Sequence, residues 1–217
     1  MIKYLVNQVP PLGANCYTVY DAETKNCLII DLGGHFSTII SQAEKLGLTI
    51  KGVLLTHGHF DHIYGASALV QKYDIPAYAH INEKFTIENT NPQICRLYDL
   101  SLPAEFAMTP VSEGEVIEVG DLRFEVIETP GHSQGGLCFY EKTEGVLFSG
   151  DTLFAGAIGR TDQPGGDYDL LMKSIFEKLM VLDGSVTVIP GHGPETSIAT
   201  ERMTNPFLMP FNEPYED

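Results

Sequence analysis

Four side chains able to bind a metal ion lie within six residues of one another. His57, His59, Asp61 and His62 occur in the run THGHFDH, directly after the apolar stretch 50–55 and directly before a helical pattern. A single ion cannot easily take all four ligands from so tight a loop, whereas two ions can. We expect His57 and His59 to face one way and Asp61 and His62 the other, as the chain turns into the helix.

Two further histidines follow predicted strands through the same short turn. His132 ends a Pro-Gly-His sequence after strand 122–128, and His192 ends another after strand 186–189. The Pro-Gly turn stops each strand, and glycine lets the backbone bend close to whatever the imidazole touches. Either motif alone is typical of a solvated turn. Their repetition after two separate strands predicts that both histidines reach the same site.

A carboxylate completes the candidate metal site. Asp151 lies in Ser-Gly-Asp-Thr, again at the end of a predicted strand. A carboxylate has two oxygens and can bridge two divalent ions, which an imidazole cannot do. Three histidines would then serve one ion, an aspartate and two histidines the other, with Asp151 shared. Two ions about 3.5–4 Å apart can share a water and lower its pKa towards neutrality, and that hydroxide would be the nucleophile.

Composition excludes several classes of protein. The chain has 217 residues, 43% of them apolar and 19% charged, which is ordinary globular usage and argues against disorder. We expect one domain over residues 1–217, since no linker or low-complexity segment divides them. The formal net charge of −16 repels phosphate backbones and anionic lipid, so neither nucleic acid nor a membrane is an expected partner.

The sequence predicts a cytoplasmic protein. Its first residues, MIKYLVNQVP, hold too short an apolar run for a secretory signal. No stretch approaches the roughly 20 apolar residues that cross a bilayer. The four cysteines form no CxxC pair and are expected to be reduced and packed in the core.

Short β-rich runs alternate with amphipathic helical stretches, which predicts an α/β architecture. Residues 20–31 and 140–151 share a sequence pattern, in which a polar turn is followed by an apolar strand that ends in aspartate. This internal similarity suggests two related sheets. Residues 82–114 hold prolines and polar turns without a clear pattern. The predicted strands are 2–6, 16–20, 27–31, 50–55, 77–79, 115–119, 122–128, 137–140, 146–149 and 186–189, and the predicted helices are 36–46, 63–73, 168–180 and 194–201.

Together these motifs resemble those of the metallo-β-lactamase-fold superfamily, from about residue 15 to residue 193. The resemblance implies a four-layer αββα sandwich of two mixed β-sheets that binds two divalent ions, with zinc expected and iron or manganese as alternatives. Asp31 is similar to the aspartate that braces the superfamily's metal loop, although a turn-forming aspartate is an equal alternative. The resemblance implies a first metal bound by His57, His59 and His132, a second bound by Asp61, His62 and His192, and a bridge through Asp151.

Within the superfamily, the run FAGAIGRTD at 154–162 is similar to the glyoxalase II group, especially its short bacterial branch. Full-length glyoxalase II has a C-terminal helical domain and a lysine near the position of Arg160, whereas we expect no such domain here, and residue 160 is arginine. Arg160 is expected to hold a substrate carboxylate, or else to pair with Asp162 or Asp167. His80 is expected at the pocket rim and His35 in a loop. β-Lactam hydrolysis is disfavoured, because the commonest di-zinc β-lactamases have a cysteine where Gly150-Asp151 stands.

The leading interpretation is a binuclear metallohydrolase of small-molecule thioesters such as S-lactoylglutathione. A metal-bridging hydroxide would attack the thioester carbonyl, and Asp61 and Asp151 would take part in catalysis, Asp61 by orienting that hydroxide. The alternative is a persulfide dioxygenase, which the chain also resembles and which would hold one iron through His57, His132 and Asp151. A lactonase would use the same two metals on a different ester.

Overall fold

Fourteen strands and seven α-helices make up the part of the chain that this computed structural model describes, residues 1–34 and 36–209. The strands are β1 (Ile2–Val9), β2 (Ala14–Asp21), β3 (Asn26–Ile30), β4 (Thr49–Leu54), β5 (Ala77–Ala79), β6 (Met108–Pro110), β7 (Val116–Val119), β8 (Leu122–Glu128), β9 (Leu137–Glu141), β10 (Val146–Gly150), β11 (Leu153–Phe154), β12 (Ala157–Ile158), β13 (Thr187–Pro190) and β14 (Thr196–Ser197). The helices are α1 (Ser37–Lys45), α2 (Phe60–Ile63), α3 (Ala66–Tyr73), α4 (Lys84–Glu88), α5 (Pro92–Leu97), α6 (Tyr168–Ser174) and α7 (Ile198–Thr204).

Twelve of the strands form two mixed six-stranded sheets. The first sheet has the order β1-β2-β3-β4-β5-β6, antiparallel up to β3 and parallel from there on. The second has the order β14-β13-β10-β9-β8-β7, in which β10 and β13 are the parallel pair. The hairpins β2–β3 and β9–β10 each lie beside a parallel strand. The two segments with the shared sequence pattern, 20–31 and 140–151, therefore lie in matching strand arrangements.

Side chains from both sheets meet in a central apolar layer. Leu28 and Leu54 of the first sheet pack there with Phe124 and Phe148 of the second. Residues alternate between the faces of a strand, so Leu147 points outward, away from its neighbour Phe148, and packs under α6 with Leu171. Helices α1 and α3 cover the outer face of the first sheet in the same way. The expected four-layer αββα sandwich is confirmed.

Three of the predicted helices differ from those in the structure. The helix predicted at 168–180 is an α-helix over Tyr168–Ser174 and continues as a π-helix over Ile175–Leu179. The helix predicted at 63–73 is divided at Gly65, whose N–H donates to the carbonyl oxygen of Leu32 and where a β-carbon would overlap Gly34. The prediction of a helix at 194–201 is wrong at its start. Residues 196 and 197 pair with β13, and the hydroxyl of Ser197 then caps the later helix α7.

Residues 82–114 contain the elements that the sequence pattern missed. Helices α4 and α5 and strand β6 lie here, and a 3₁₀ turn, Ile81–Glu83, precedes them. The two helices have five and six residues and the strand has three, too few to generate a visible hydrophobic period. His35, expected in a loop, and residues 210–217 of the tail lie outside the described residues. Within the described residues, no helix has the length and apolar character needed to span a bilayer.

Candidate metal centre

Loops at the carboxyl ends of four strands bring the predicted ligands together. The nitrogen atoms of His57, His59 and His132 lie within 4.8 Å of one another, and we call these three residues the first ligand set. The ligand atoms of Asp61, His62 and His192 satisfy the same limit and form the second ligand set. The segment 56–62 follows β4, His132 follows β8, and His192 follows β13. Residues separated by up to 135 positions in sequence therefore form one cluster.

Asp151, at the end of β10, lies between the two ligand sets. Its Oδ1 atom is 3.5 Å from Nε2 of His62, and its Oδ2 atom is 3.6 Å from Nε2 of His132. The same Oδ2 atom is 3.7 Å from Nε2 of His192. One carboxylate thus faces histidines of both sets, which is the arrangement that a shared ligand requires.

The donor atoms of this cluster fit divalent metal ions. Nε2 of His57 and Oδ1 of Asp151 are buried, and neither has a hydrogen-bond partner in the described part of the chain. Burying such polar atoms without a partner is costly, so a cation at the cluster would satisfy both. Imidazole nitrogens with carboxylate oxygens are the ligands of zinc, iron and manganese sites.

Contacts on the opposite side of three rings fix their orientation. Nδ1 of His62 lies 2.9 Å from Oδ2 of Asp31, and Nδ1 of His132 lies 2.8 Å from the carbonyl oxygen of Arg160. Nδ1 of His57 lies 3.0 Å from the hydroxyl of Thr56. With Nδ1 held in this way, Nε2 of each ring points into the cluster, as is usual for metal-binding histidines.

The first ligand set is electrically neutral near pH 7. Burial, together with the positive charge that neighbouring histidines can carry, lowers the pKa of His57 well below its ordinary value. Burial also lowers the pKa of His59, and it lowers the pKa of His132 to about 4. All three rings therefore present free lone pairs to a cation.

The second ligand set is charged. Burial lowers the pKa of His62, but the carboxylates of Asp151 and Asp31 outweigh burial and raise that pKa to about 10. Burial raises the pKa of Asp61, but a hydrogen bond from His192 and the charge of His62 bring it to about 2. Burial raises the pKa of Asp151. A hydrogen bond to Asp61 raises the pKa of His192 as well. The second set thus combines the anionic carboxylate of Asp61 with two rings of raised pKa, from which a metal ion would have to displace protons.

Glycines at two positions leave space for the Asp151 side of the cluster. A β-carbon at Gly191 would overlap Oδ1 of Asp151 and lie 2.8 Å from Cε1 of His62. A β-carbon at Gly159 would overlap the carbonyl oxygen of Asp151 and lie 3.1 Å from Cβ of His132. Any side chain at either position would displace a candidate ligand, which explains the glycines in the Pro-Gly-His and Gly-Arg-Thr-Asp sequences.

Comparison with known proteins agrees with this geometry. The family model described as the metallo-beta-lactamase superfamily matches residues 9–192. The chain belongs to this superfamily. The matched region contains every residue of both ligand sets and Asp151.

Superfamily members of similar length include a named hydrolase. Hydroxyacylglutathione hydrolase GloC of Haemophilus influenzae is 40% identical over 199 residues, which cover 89% of this chain and 92% of that protein. Probable metallo-hydrolase YqgX of Bacillus subtilis is 39% identical over 215 residues, covering 97% and 100%. The chain is therefore a member of a metallohydrolase family.

Two superfamily members of known structure share its architecture. BLEG-1, described as a B3 metallo-beta-lactamase, superposes with a TM-score of 0.86 at 37% identity and covers 96% of this chain and 99% of its own. TTHA1623, described in a di-iron-bound form, gives a TM-score of 0.83 at 33% identity and covers 94% and 100%.

The two residues predicted to bind substrate lie outside the ligand sets. The guanidinium of Arg160 donates to both carboxylate oxygens of Asp162, each at 2.7 Å, and its side chain is 60% exposed. Nε2 of His80 lies 3.2 Å from Oε1 of Glu128, and Nδ1 accepts a hydrogen bond from the backbone of Asn82. Both ring nitrogens of His80 are thus engaged with other groups.

Sequence reasoning missed two residues that support the centre, Glu83 and Asn15. The carboxylate of Glu83 accepts hydrogen bonds from the backbone of Gly58 and Gly135, and no motif marks Glu83 in the irregular segment 82–114. The side-chain amide of Asn15 donates to the carbonyl oxygens of Pro190 and Gly193, and so holds the turn that carries His192. A polar residue among the apolar residues of β2 is the signal that could have identified Asn15.

Proposed function

We propose that this chain is a binuclear metallohydrolase of small-molecule thioesters of the S-lactoylglutathione type. The observation that carries the proposal is the position of Asp151, whose carboxylate faces His62 of the second set and His132 of the first. The name of the relative GloC, a hydroxyacylglutathione hydrolase at 40% identity, supports the substrate class. The Gly-Arg-Thr-Asp sequence at 159–162 supports the same branch.

The proposed cofactors are two divalent ions, zinc by preference, with iron or manganese as alternatives. The first ligand set would hold one ion, the second set the other, and Asp151 would contact both. When bound, two such ions lower the pKa of a shared water and stabilise negative charge on a carbonyl oxygen. The buried, unpartnered Nε2 of His57 and Oδ1 of Asp151 support this assignment.

The chain's own residues would orient the reactants. Asp61 lies at the cluster with Oδ2 3.3 Å from Nε2 of His192, and its pKa of about 2 keeps the carboxylate ionised. It can therefore accept a hydrogen bond from the attacking water and fix its direction. The leaving thiolate is stable in water, so no strong general acid is required. Arg160 follows the Asp151 loop and would attract an anionic thiol carrier through its exposed guanidinium.

The proposed setting is the cytoplasm. The proposed partner is a small-molecule thioester, and neither nucleic acid nor a membrane. The four cysteines support this setting, because all of them are free thiols buried in the structure. Thiols persist in the reducing cytosol, whereas oxidising compartments favour disulfides.

A persulfide dioxygenase is the second candidate function. His57, His132 and Asp151 lie together, with the two rings 4.8 Å apart between centroids and Oδ2 of Asp151 3.6 Å from His132. Two histidines and one carboxylate suit non-haem iron. The di-iron form of the neighbour TTHA1623 supports iron as an alternative metal.

Metal analysis of the purified protein, combined with four assays, tests the proposal. The substrates are S-lactoylglutathione, a homoserine lactone, a β-lactam chromogen, and glutathione persulfide with oxygen uptake recorded. Two metal ions per chain and preferential cleavage of the thioester are expected. One iron per chain with oxygen uptake would favour the dioxygenase, and preferential lactone or β-lactam cleavage would contradict the thioester proposal.

A further inference from the structure

Glu83 is a buried acidic residue that the reaction outlined above does not use. Its residue exposure is only 1%, although it ends an exposed 3₁₀ turn. Its Oε2 atom accepts a hydrogen bond from the N–H of Gly58 at 2.8 Å, and its Oε1 atom accepts one from the N–H of Gly135 at 2.6 Å. Both carboxylate oxygens of Glu83 therefore accept hydrogen bonds from main-chain N–H groups.

The two amides that Glu83 binds belong to the segments carrying the first ligand set. Gly58 is the residue between His57 and His59, and Gly135 lies three positions after His132. One carboxylate thus connects the loop after β4 with the loop after β8. All three histidines of the first set depend on the relative position of these two loops.

Close packing reinforces the connection. A β-carbon at Gly58 would lie 2.8 Å from Oε2 of Glu83, and one at Gly135 would lie 3.1 Å from Cγ of Glu83 and 2.7 Å from Nδ1 of His80. Only glycine allows both backbones to approach the turn of Glu83 so closely. Glycine at both positions therefore leaves space for the buried carboxylate of Glu83.

We propose that Glu83 is a positioning residue for the first ligand set and also a counter-charge for the ion that this set would hold. The inference rests on the proposed metal-dependent function. Three imidazoles bring no negative charge to a divalent ion, so the shared carboxylate of Asp151 would be the one acidic group among the proposed ligands of the first ion. A carboxylate bound to both loops stabilises a nearby cation, because a charge interaction is strong in a buried site. The second set differs, since it contains Asp61.

Cobalt(II) affinity, measured separately at each set, tests this inference. His192→Ala leaves the first set complete, and His132→Ala leaves the second set complete. Glu83→Gln is then added to each background, because it keeps the size but removes the charge and one acceptor. We expect a loss of about 10- to 100-fold in cobalt affinity at the first set and a change below about threefold at the second. The cobalt absorption spectrum of the first set should change as well.

Glu141→Gln is the matched control. Glu141 has 2% residue exposure and also accepts a backbone hydrogen bond, from Glu144 at 2.7 Å. It ends β9 at the turn of the β9–β10 hairpin, whereas Asp151 follows the far end of β10. The control variant should leave the cobalt affinity of both sets unchanged.

Equal loss at both sets after Glu83→Gln would overturn the inference, because Glu83 would then be a general structural brace. An unchanged first set would overturn it too. Failure of the His192→Ala parent to bind cobalt would instead contradict the proposed metal function.

If Glu83→Gln does not fold, Glu83→Asp is tested in its place. Aspartate keeps the charge but is too short to reach both amides, so the cobalt affinity of the first set should still fall. Amide exchange in the unmodified protein adds a further check, since fast exchange at Gly58 and Gly135 would show that the contacts are absent.

Discussion

Oδ2 of Asp31 lies 2.9 Å from Nδ1 of His62, and both side chains are almost completely buried. Asp31 also accepts hydrogen bonds from the backbone N–H of Thr56 at 2.8 Å and from its hydroxyl at 2.7 Å. One carboxylate therefore fixes the ring of His62 and the start of the loop that carries four candidate ligands. The backbone of Asp31 has a φ of +53°, a conformation that asparagine adopts more easily than most residues.

Asp31→Asn should weaken metal binding without unfolding the protein. Asparagine suits the same backbone but removes the negative charge that orients and polarises His62. Loss of such an outer contact typically costs about 10- to 100-fold in metal affinity. Zinc affinity is measured by competition with a chelator, and folding by circular dichroism. Asp74→Asn, at an exposed aspartate with φ of +51°, is the control. Unchanged zinc affinity in Asp31→Asn would show that the contact is dispensable.

Metal binding to the two ligand sets should depend differently on pH. In the metal-free protein the pKa of His62 is about 10, so His62 carries a proton near pH 7 that a metal must displace. The pKa of His132 is about 4, so His132 has no proton to lose. In the neutral range, a lower pH therefore opposes binding at the second set and has little effect on the first set. Affinity at the second set should rise by up to about tenfold per pH unit between about pH 7 and 9.

Titration calorimetry in two buffers of different ionisation enthalpy measures this difference. The expected result is at least one proton released when the second set is filled, because the pKa values of both His62 and His192 are raised, and none when the first is filled. Proton release at the first set, or none at the second, would contradict the assignment of charge. Metal-free protein prepared by chelation is the starting material.

Replacing Asp151 should remove metal and activity together. Asp151→Ala takes away the carboxylate that faces both sets, so neither set keeps its shared oxygen. We expect metal content to fall below one ion per chain and thioester turnover to become undetectable. Metal content is measured by emission spectrometry and turnover by thiol release. Asp121→Ala, in an exposed turn, should retain both. Full metal content with retained turnover in Asp151→Ala would refute a bridging role.

Strongly patterned elements of the fold could be predicted from sequence, whereas short ones could not. Strand β4 ends in buried residues directly before the metal loop, and the predicted range 50–55 is within one residue of it at each end. Helices α4 and α5 contain five and six residues, too few for a hydrophobic period to emerge. The break at Gly65 depends on a tertiary contact with Leu32 that no local pattern contains.

The candidate ligands could be predicted because their chemistry is concentrated in short motifs. His57 to His62 follow β4 of the first sheet, and the two Pro-Gly-His turns follow β8 and β13 of the second, so the ends of strands from both sheets meet at the cluster. Glu83 and Asn15 carry no such signal, since their role is to bind main chain that lies far away in sequence. The contact of His132 with the carbonyl oxygen of Arg160 is likewise invisible in sequence, because any residue supplies a carbonyl.

Arg160→Ala should impair substrate binding without affecting folding. The guanidinium is largely exposed and pairs with Asp162, an arrangement that contributes little to stability in water. The carbonyl oxygen of residue 160, which accepts from His132, remains in the variant. We expect KM for S-lactoylglutathione to rise about tenfold with kcat unchanged, as when an interaction is lost equally from ground and transition states.

An uncharged thioester distinguishes this role from a general defect, because its KM should not change in Arg160→Ala. Asp162→Ala is the second comparison, since it releases the guanidinium from its carboxylate partner. The KM of Asp162→Ala for S-lactoylglutathione should stay the same or fall. Steady-state kinetics with both substrates measures these values. An equal rise in KM for charged and uncharged thioesters would contradict charge attraction by Arg160, because the loss would then come from the bulk of its side chain.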